Sequence, residues 1–144
     1  MGPEAVNPEL TAEDYASARA AEEVLEGRES LNAALARWRL VVLDIEAGFD
    51  LEFVYEYEHG LACRDGLRRA WPLLTARVRE IRQPVLDRWD DRFFAATRPM
   101  ALPDAGNGER GGRWWTRRFP VLCFRGEGQV LPAHWSPPPR IEEY

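Results

Sequence analysis

The hydrophobic pattern is strongest between residues 30 and 49, where apolar residues recur at spacings of three and four, as on a helix. They make two faces of this helix. One face contains Leu31, Leu35, Trp38, Val42, Ile45 and Phe49, and the other contains Ala33, Ala36, Leu40, Leu43 and Ala47. A surface helix needs only one apolar stripe, so two stripes indicate a helix that is buried between neighbours. The pattern therefore predicts a central helix over 30–48, which Ser30 caps and Gly48 ends.

Weaker helical patterns flank this segment. Thr11 and Asp14 have the spacing of a capping box and mark the start of a helix before the central one. After it, helical spacing returns over 62–70 and over 74–97. Pro84 lies within the second of these stretches. Because proline cannot donate a backbone hydrogen bond, that stretch is either one kinked helix or two helices.

Residues 50–59, with the sequence DLEFVYEYEH, fit two patterns. Apolar and acidic residues alternate along them, as in a strand. A helix would instead group Phe53 with Tyr57 on one side, with Asp50 as its N-cap and Gly60 at its end. No partner strand is evident nearby, so we favour a short helix.

The last third of the chain is predicted to be mostly extended. Residues 100–112 contain one proline and four glycines and are predicted to form a loop. Residues 113–125 carry aromatic and β-branched side chains and are predicted to be a strand, with a two-stranded ribbon over 113–131 as an extension of it. Residues 132–144 contain four prolines and are typical of an extended, polyproline-like tail, which Trp135 is expected to pin to the body.

Together these patterns predict a mainly α fold: a compact helical bundle around the central helix 30–48, with a C-terminal extended or β segment laid across it. At 144 residues the chain is large enough to bury a core without metals or disulfides. We predict a loose lead-in at 1–10, a single helical domain at 11–131 that includes the aromatic segment 113–125, and a proline-rich tail at 132–144.

Four short motifs follow one another between residues 31 and 120. They are Trp38 to Phe49, Tyr57 to Leu67, Asp90 to Thr97 and Trp114 to Pro120. In this order they resemble a group of small proteins to which no activity is assigned. These proteins come from actinobacteria, whose genomes are rich in G and C. The resemblance therefore implies no mechanism, cofactor or site residue.

Composition and the start of the chain predict a cytoplasmic protein that does not enter a membrane. No apolar run approaches the roughly 20 residues that a bilayer span needs, and the first ten residues lack the basic and apolar regions of a signal peptide. Cys63 and Cys123 lack CxxC spacing, so we predict two buried thiols in a reducing compartment. The chain contains arginine but no lysine, which indicates a high-GC coding bias.

Charge is distributed unevenly along the chain. Residues 1–60 contain 14 carboxylates and 4 arginines, a formal charge of −10, whereas residues 61–144 contain 10 carboxylates and 15 arginines, a formal charge of +5. The two halves can neutralise one another within the fold, or the first half can present an acidic face to a cationic partner. The sequence leaves both alternatives open.

No complete catalytic motif is present. Cys63 follows His59 by four residues, but Gly60 is expected to break the helix that would place them side by side. The Asp90 region is more typical of the solvated side of an amphipathic helix than of an acid–base pair. An enzyme with a pocket under the loop 100–112, using Asp90 or His59, is therefore the weakest hypothesis, and we predict no catalytic residue.

No metal or cofactor site is predicted either. The carboxylates between residues 44 and 58, with His59, do not converge on one point in a helix or in a strand. Residues 106–111 match GxGxxG literally, but no strand precedes them and no helix follows, as a dinucleotide site requires. We interpret them as a loop.

The leading hypothesis is a small acidic, non-enzymatic protein that binds a basic protein partner, as immunity proteins and antitoxins do. Its candidate contacts are Glu46, Glu52, Glu56 and Glu58. The alternative is a nucleic-acid-associated regulator, because the segment 113–119 interleaves base-stacking and phosphate-pairing side chains. Its candidate contacts are Arg113, Trp114, Trp115, Arg117 and Arg118.

Overall fold

The structure is a computed structural model that describes residues 10–25, 27, 29–101 and 110–143. It confirms a mainly α fold. The helices are α1 (Ala12–Glu23), α2 (Leu31–Ala47), α3 (Tyr57–Gly60), α4 (Ala62–Ala70) and α5 (Ala76–Ala95). A bundle arranged around α2 stays a prediction. Two segments singled out in the sequence lie almost entirely outside the described residues. Only the last residue of the predicted lead-in and the last two residues of the GxGxxG match are described.

Local signals in the sequence account for where these helices begin and end. Ser30 caps α2, since its Oγ accepts a hydrogen bond of 3.0 Å from the Ala33 amide. Pro84 lies inside the single helix α5, so the alternative of two separate helices is wrong. Residues 51–59 are helical, as favoured, whereas Asp50 is extended: with Asp50 as its N-cap, a 3₁₀ turn over Leu51–Glu56, kinked at Phe53, leads directly into α3.

Short strands join distant parts of the chain. They are β1 (Phe49–Asp50), β2 (Thr97–Pro99), β3 (Arg118–Pro120), β4 (Leu122–Arg125) and β5 (Arg140–Glu143). β4 lies between β1 and β5 in a three-stranded parallel sheet, with Phe49 opposite Cys123 and Cys123 opposite Ile141. β2 and β3 form an antiparallel pair.

The C-terminal segment differs from its prediction in three respects. Trp114–Arg117 is a 3₁₀ turn, so only the later part of 113–125 is extended. The strands do not make a local ribbon within 113–131, because β3 pairs with β2 and β4 pairs with β1 and β5. The tail is not simply polyproline-like, because its last described residues form β5 beside β4. The second and third differences arise from strand pairing with segments that are not adjacent in sequence.

The chain divides into two compact units, and the first contains the described residues of Met1–Arg37 together with Cys63–Asp87. Its buried apolar side chains include Ala21, Leu25, Leu31, Ala34, Leu35, Leu67, Ala70, Leu74, Val78 and Leu86. Thr11 and Asp14 form the predicted capping box of α1. Asp14 is buried and also accepts a hydrogen bond of 2.6 Å from the Thr75 hydroxyl, which holds the start of α1 against the residue before α5.

The second unit contains Trp38–Ala62 and the described residues of Arg88–Tyr144, and its core is aromatic. Its buried rings include Trp38, Tyr57, Trp89, Phe93, Trp114, Trp115, Phe119 and Trp135. Trp135 stacks on Phe119 with 5.7 Å between ring centroids and meets Tyr57 edge-on at 5.2 Å. The tail is therefore pinned at Trp135, as predicted.

None of the described helices is both long and apolar enough to cross a membrane. The longest of them, α5, carries charged side chains along its whole length.

Candidate functional site

The candidate site is a groove in the second unit, formed by the C-terminal half of α2 and by the segment from Gly48 to Leu61. Its volume is about 430 Å³, within the range of roughly 300–1,000 Å³ that is usual for ligand sites. Its apolar lining includes Val41, Ile45, Phe49, Phe53, Tyr57 and Leu61. Its carboxylates are Asp44, Asp50 and Glu56. We call it the acidic groove.

Local sequence features create this groove. α2 ends at Ala47, and Gly48 follows with a φ of 116°, a conformation that L side chains rarely adopt. The chain therefore turns sharply into β1. Asp50 then accepts a hydrogen bond of 2.9 Å from the Glu52 amide and starts the 3₁₀ turn that supplies Phe53 and Glu56 to the groove.

The groove is acidic because three carboxylates line it and, among the described residues, no cationic side chain does. Residues 40–63 contain six carboxylates and no arginine, so the sequence supplies no neutralising charge within the segment. Within the part of the chain that the structure describes, Asp44 and Glu56 take part in no ion pair. The charge of this surface is therefore turned towards solvent.

Of the four acidic contacts predicted from the sequence, only Glu56 lines the groove. Glu52 and Glu58 are exposed on the same segment, outside its lining. Glu46 lies in a second, more open concavity, where its carboxylate pairs with Arg92. Part of the charge asymmetry of the sequence is thus satisfied internally, at Glu46.

Sequence reasoning missed three groove residues as contacts: Asp44, Asp50 and Phe53. The two aspartates belong to the acidic run between residues 44 and 58 that we do not interpret as a metal site. Phe53 carries the available signal, because it interrupts an acidic stretch and is 49% exposed. Single exposed apolar side chains are common on protein surfaces, so the exposure of Phe53 becomes informative only through its place in the groove.

The second concavity has the opposite character. Arg92, Arg98 and Arg140 line it, around an apolar floor. Arg92 is bound to Glu46 and Arg140 to Glu142, so two of these three guanidinium groups already have carboxylate partners. Its charge is largely neutralised within the protein, unlike that of the acidic groove.

The aromatic residues of the segment 113–119 belong to the core. Trp114 is 6% exposed and Trp115 only 1% exposed, and the two rings meet edge-on at 5.8 Å. Trp114 also packs on Phe93 and Phe94. Base stacking needs an exposed ring face, so in this structure neither tryptophan offers a stacking platform.

The arginines of this segment have different surroundings. Arg113 is exposed, and Arg117 donates a hydrogen bond of 2.9 Å to the Gly111 carbonyl. Arg118 is buried, and its guanidinium lies 3.9 Å from the centre of the Phe94 ring and donates to the Thr97 side chain and carbonyl. Arg118 is therefore placed for structure rather than for a phosphate.

Burial also sets the ionisation of this part of the core. Loss of hydration lowers the pKa of the Arg118 guanidinium, and its Nη1 is buried without a hydrogen-bond partner among the described residues. Burial raises the pKa of the Tyr57 hydroxyl, which donates a hydrogen bond of 2.8 Å to the Arg118 carbonyl. Because the hydroxyl stays neutral, it retains the proton with which it donates this hydrogen bond to the buried Arg118 carbonyl.

The residues of the enzyme hypothesis are not assembled into a site. Asp90 is buried and accepts a hydrogen bond of 3.0 Å from the Trp38 indole, so its carboxylate is committed to the core. His59 is exposed on α3. Neither residue lines the acidic groove or the arginine-lined concavity. The predicted pocket under 100–112 falls mostly on residues outside those that the structure describes.

Cys63 and Cys123 are buried free thiols, as predicted. Burial raises the pKa of Cys63 to about 11 and that of Cys123 to about 12, from an ordinary value of 9.0. The reactive species is the thiolate, so such thiols are poor nucleophiles near neutral pH.

We expect Cys63 to be alkylated at pH 8 about a hundredfold more slowly in the folded protein than in denaturant, because a pKa two units higher leaves that much less thiolate. The rate should rise about tenfold per pH unit until about pH 11. Mass spectrometry after iodoacetamide treatment measures it, and Cys63→Ala separates its signal from that of Cys123. Equal rates in the folded and denatured protein would show that Cys63 is an accessible, active thiol.

Comparison of the chain with protein-family models, with curated proteins and with solved structures finds no match. The inference of function therefore rests on the chemistry of the acidic groove.

Proposed function

We propose that this protein is a small, non-enzymatic binding protein of the cytoplasm that engages a basic protein partner, as an immunity protein or antitoxin does. The acidic groove carries the proposal. In it an apolar floor and three carboxylates meet without a cation among the lining residues. Apolar area supplies affinity, and carboxylates select a partner of positive charge.

Exposed side chains around the groove extend this surface. Glu52 and Glu58 are both exposed and belong to no ion pair among the described residues. Tyr55, which is 97% exposed, lies between them in sequence. A cluster of like charges raises the rate of encounter with an oppositely charged protein, and tyrosine is enriched at protein interfaces.

The burial of the side chains that could act in catalysis also supports a binding role. The Asp90 carboxylate is bonded to Trp38 in the core, and the Cys63 thiol is buried with a raised pKa. The carboxylates of the acidic groove, in contrast, lie on an open surface. Exposed carboxylates bind cations readily but lack the shielding that acid–base catalysis uses.

Reversing two of these charges, with Glu52→Arg and Glu56→Arg in one variant, should weaken binding of the partner at least about tenfold, because like charges then face each other across the interface. The tagged protein is first used to capture a stoichiometric partner from lysate of the native host. Affinity of that partner is then measured by calorimetry at low and at high salt, and the wild-type affinity should fall as salt rises.

Glu80→Arg with Glu127→Arg is the matched control. It makes the same change in net charge at two exposed carboxylates outside the segment 40–62. This control should keep the wild-type affinity. The proposed function fails if no stoichiometric basic protein is captured, or if both double variants weaken binding alike.

A further inference from the structure

We infer that the acidic groove receives an arginine side chain of the partner, whose guanidinium lies over the Phe53 ring and donates hydrogen bonds to Asp44 and Glu56. This inference rests on the proposed function and adds to it the chemistry of the group that is recognised. The wider acidic surface can bind a basic protein without such a pocket, so the two proposals are separable.

The aromatic lining of the groove suits a cation. Phe49, Phe53 and Tyr57 all line it, and the rings of Phe49 and Tyr57 meet edge-on with 5.3 Å between centroids. Tyr57 is buried, whereas Phe53 is 49% exposed, so Phe53 is the ring that presents area to a bound group. A cation over the face of an aromatic ring is attracted by the ring quadrupole.

Elsewhere in the second unit this protein's own arginines lie over several aromatic rings. Arg92 lies over the Trp89 ring at 4.6 Å, and Arg110 lies over the Phe94 ring at 4.3 Å. Over the described residues, no arginine covers Phe49, Phe53 or Tyr57. Trp89 and Phe94 are thus covered by arginines of the protein itself, whereas the exposed Phe53 ring of the acidic groove is open to a guanidinium from another molecule.

The carboxylates favour arginine over lysine. Asp44 from α2 and Glu56 from the 3₁₀ turn line the groove, are exposed and belong to no ion pair among the described residues, so both carboxylates can accept hydrogen bonds from a guanidinium. A planar guanidinium stacks on a ring and directs N–H groups outwards in its own plane, whereas an ammonium is a compact and strongly hydrated point charge. A groove lined by an exposed ring and by carboxylates from two different elements therefore fits the guanidinium better.

The test uses the whole chain and three short peptides that differ at one central position between two leucines. The position is arginine, lysine or citrulline, the last being a neutral analogue of arginine with nearly the same shape. Binding is followed by NMR through the amide signals of Gly48 and Gly60, which both line the groove. The arginine peptide should shift these signals saturably and bind at least about twofold more tightly than the lysine peptide, and the citrulline peptide should bind most weakly.

Two matched pairs of variants locate the site. Phe53→Leu keeps an apolar side chain but removes the ring face, and should weaken the arginine peptide about two- to fivefold. Tyr55→Leu makes the same change at a more exposed ring outside the groove lining and should leave affinity unchanged. Glu56→Gln should weaken binding up to about fivefold, and Glu58→Gln, outside the lining, should have less effect.

The inference is overturned if the arginine and citrulline peptides bind equally, if neither binds, or if Phe53→Leu behaves like Tyr55→Leu. The proposed function survives these results when charge reversal at Glu52 and Glu56 still releases the partner. Conversely, when the peptides behave as expected but charge reversal at Glu52 and Glu56 does not release the partner, the proposed function fails, and with it the assignment of the arginine to that partner. Concentration-dependent shifts of Gly48 in the protein alone would assign the arginine to a second copy of the chain and overturn the inference.

Discussion

Replacing Trp115 with alanine is expected to lower the free energy of unfolding by about 3–5 kcal/mol. The side chain is 1% exposed and packs edge-on against Trp114, so its removal leaves a large cavity in the second unit. The loss combines the transfer free energy of a large apolar side chain with the contacts that its neighbours no longer make. Denaturant titration followed by far-UV circular dichroism measures the change.

Tyr55→Ala is the control for this experiment. Tyr55 is also a large aromatic residue, but it is 97% exposed, so its removal should change the free energy of unfolding by no more than about 0.5 kcal/mol. A small effect at Trp115, similar to that at Tyr55, would contradict its place in the core. It would also restore the nucleic-acid hypothesis, which needs the tryptophans of the segment 113–119 at the surface.

Gly48→Ala is expected to lower the free energy of unfolding by about 2–5 kcal/mol, from two causes that act together. The φ of Gly48 is 116°, where any L side chain is strained. A Cβ at this position would also lie 2.2 Å from Cε2 of Phe124, so the ring in β4 must move. Because Gly48 forms the turn at the edge of the acidic groove, the same variant should weaken the arginine peptide.

Gly128→Ala separates the two causes. Gly128 has a φ of 80°, but a Cβ there would have no neighbour within 4 Å, so only the backbone strain of about 1–2 kcal/mol remains. The difference in unfolding free energy between the two variants contains the close approach of Gly48 to Phe124 together with the additional backbone strain at its φ of 116°. Equal losses in the two variants would contradict that approach, and with it the packing of β4 beside the end of α2.

If the groove acts as proposed, α2 contributes both to the hydrophobic core and to the binding site. Its apolar residues Trp38 and Val42 are fully buried, while Val41 and Asp44 line the acidic groove. A rigid helix that belongs to the core presents binding groups in a fixed geometry, which lowers the entropic cost of binding. The 3₁₀ turn over Leu51–Glu56 supplies Phe53 and Glu56 to the same groove.

Much of the helical structure could be predicted because its signals are local. The capping box of Thr11 and Asp14, the cap at Ser30 and the N-cap at Asp50 each involve residues within three positions of one another. The mainly α class follows from hydrophobic periodicity for the same reason. Residues 50–59 were ambiguous because a 3₁₀ turn has neither the period of a strand nor that of a regular helix.

The candidate site could be predicted only in part. The sequence identified the acidic segment and named Glu56, but it gave equal weight to Glu46, whose carboxylate the fold pairs with Arg92. Pairing of residues 46 positions apart leaves no trace in a single sequence. Asp44 and Phe53 were missed because nothing local indicates that helix and turn face each other across a groove.

The sequence by itself determined the helices of this protein, their caps and an acidic segment without arginine, because period, capping and composition are properties of neighbouring residues. The tertiary structure decided which charges and rings face solvent. It buried Trp114 and Trp115, which the sequence could not distinguish from an exposed binding surface. It also joined β1, β4 and β5, whose pairing brings Cys123 between Phe49 and Ile141. Such contacts depend on the burial of area between distant segments, and only the folded chain specifies them.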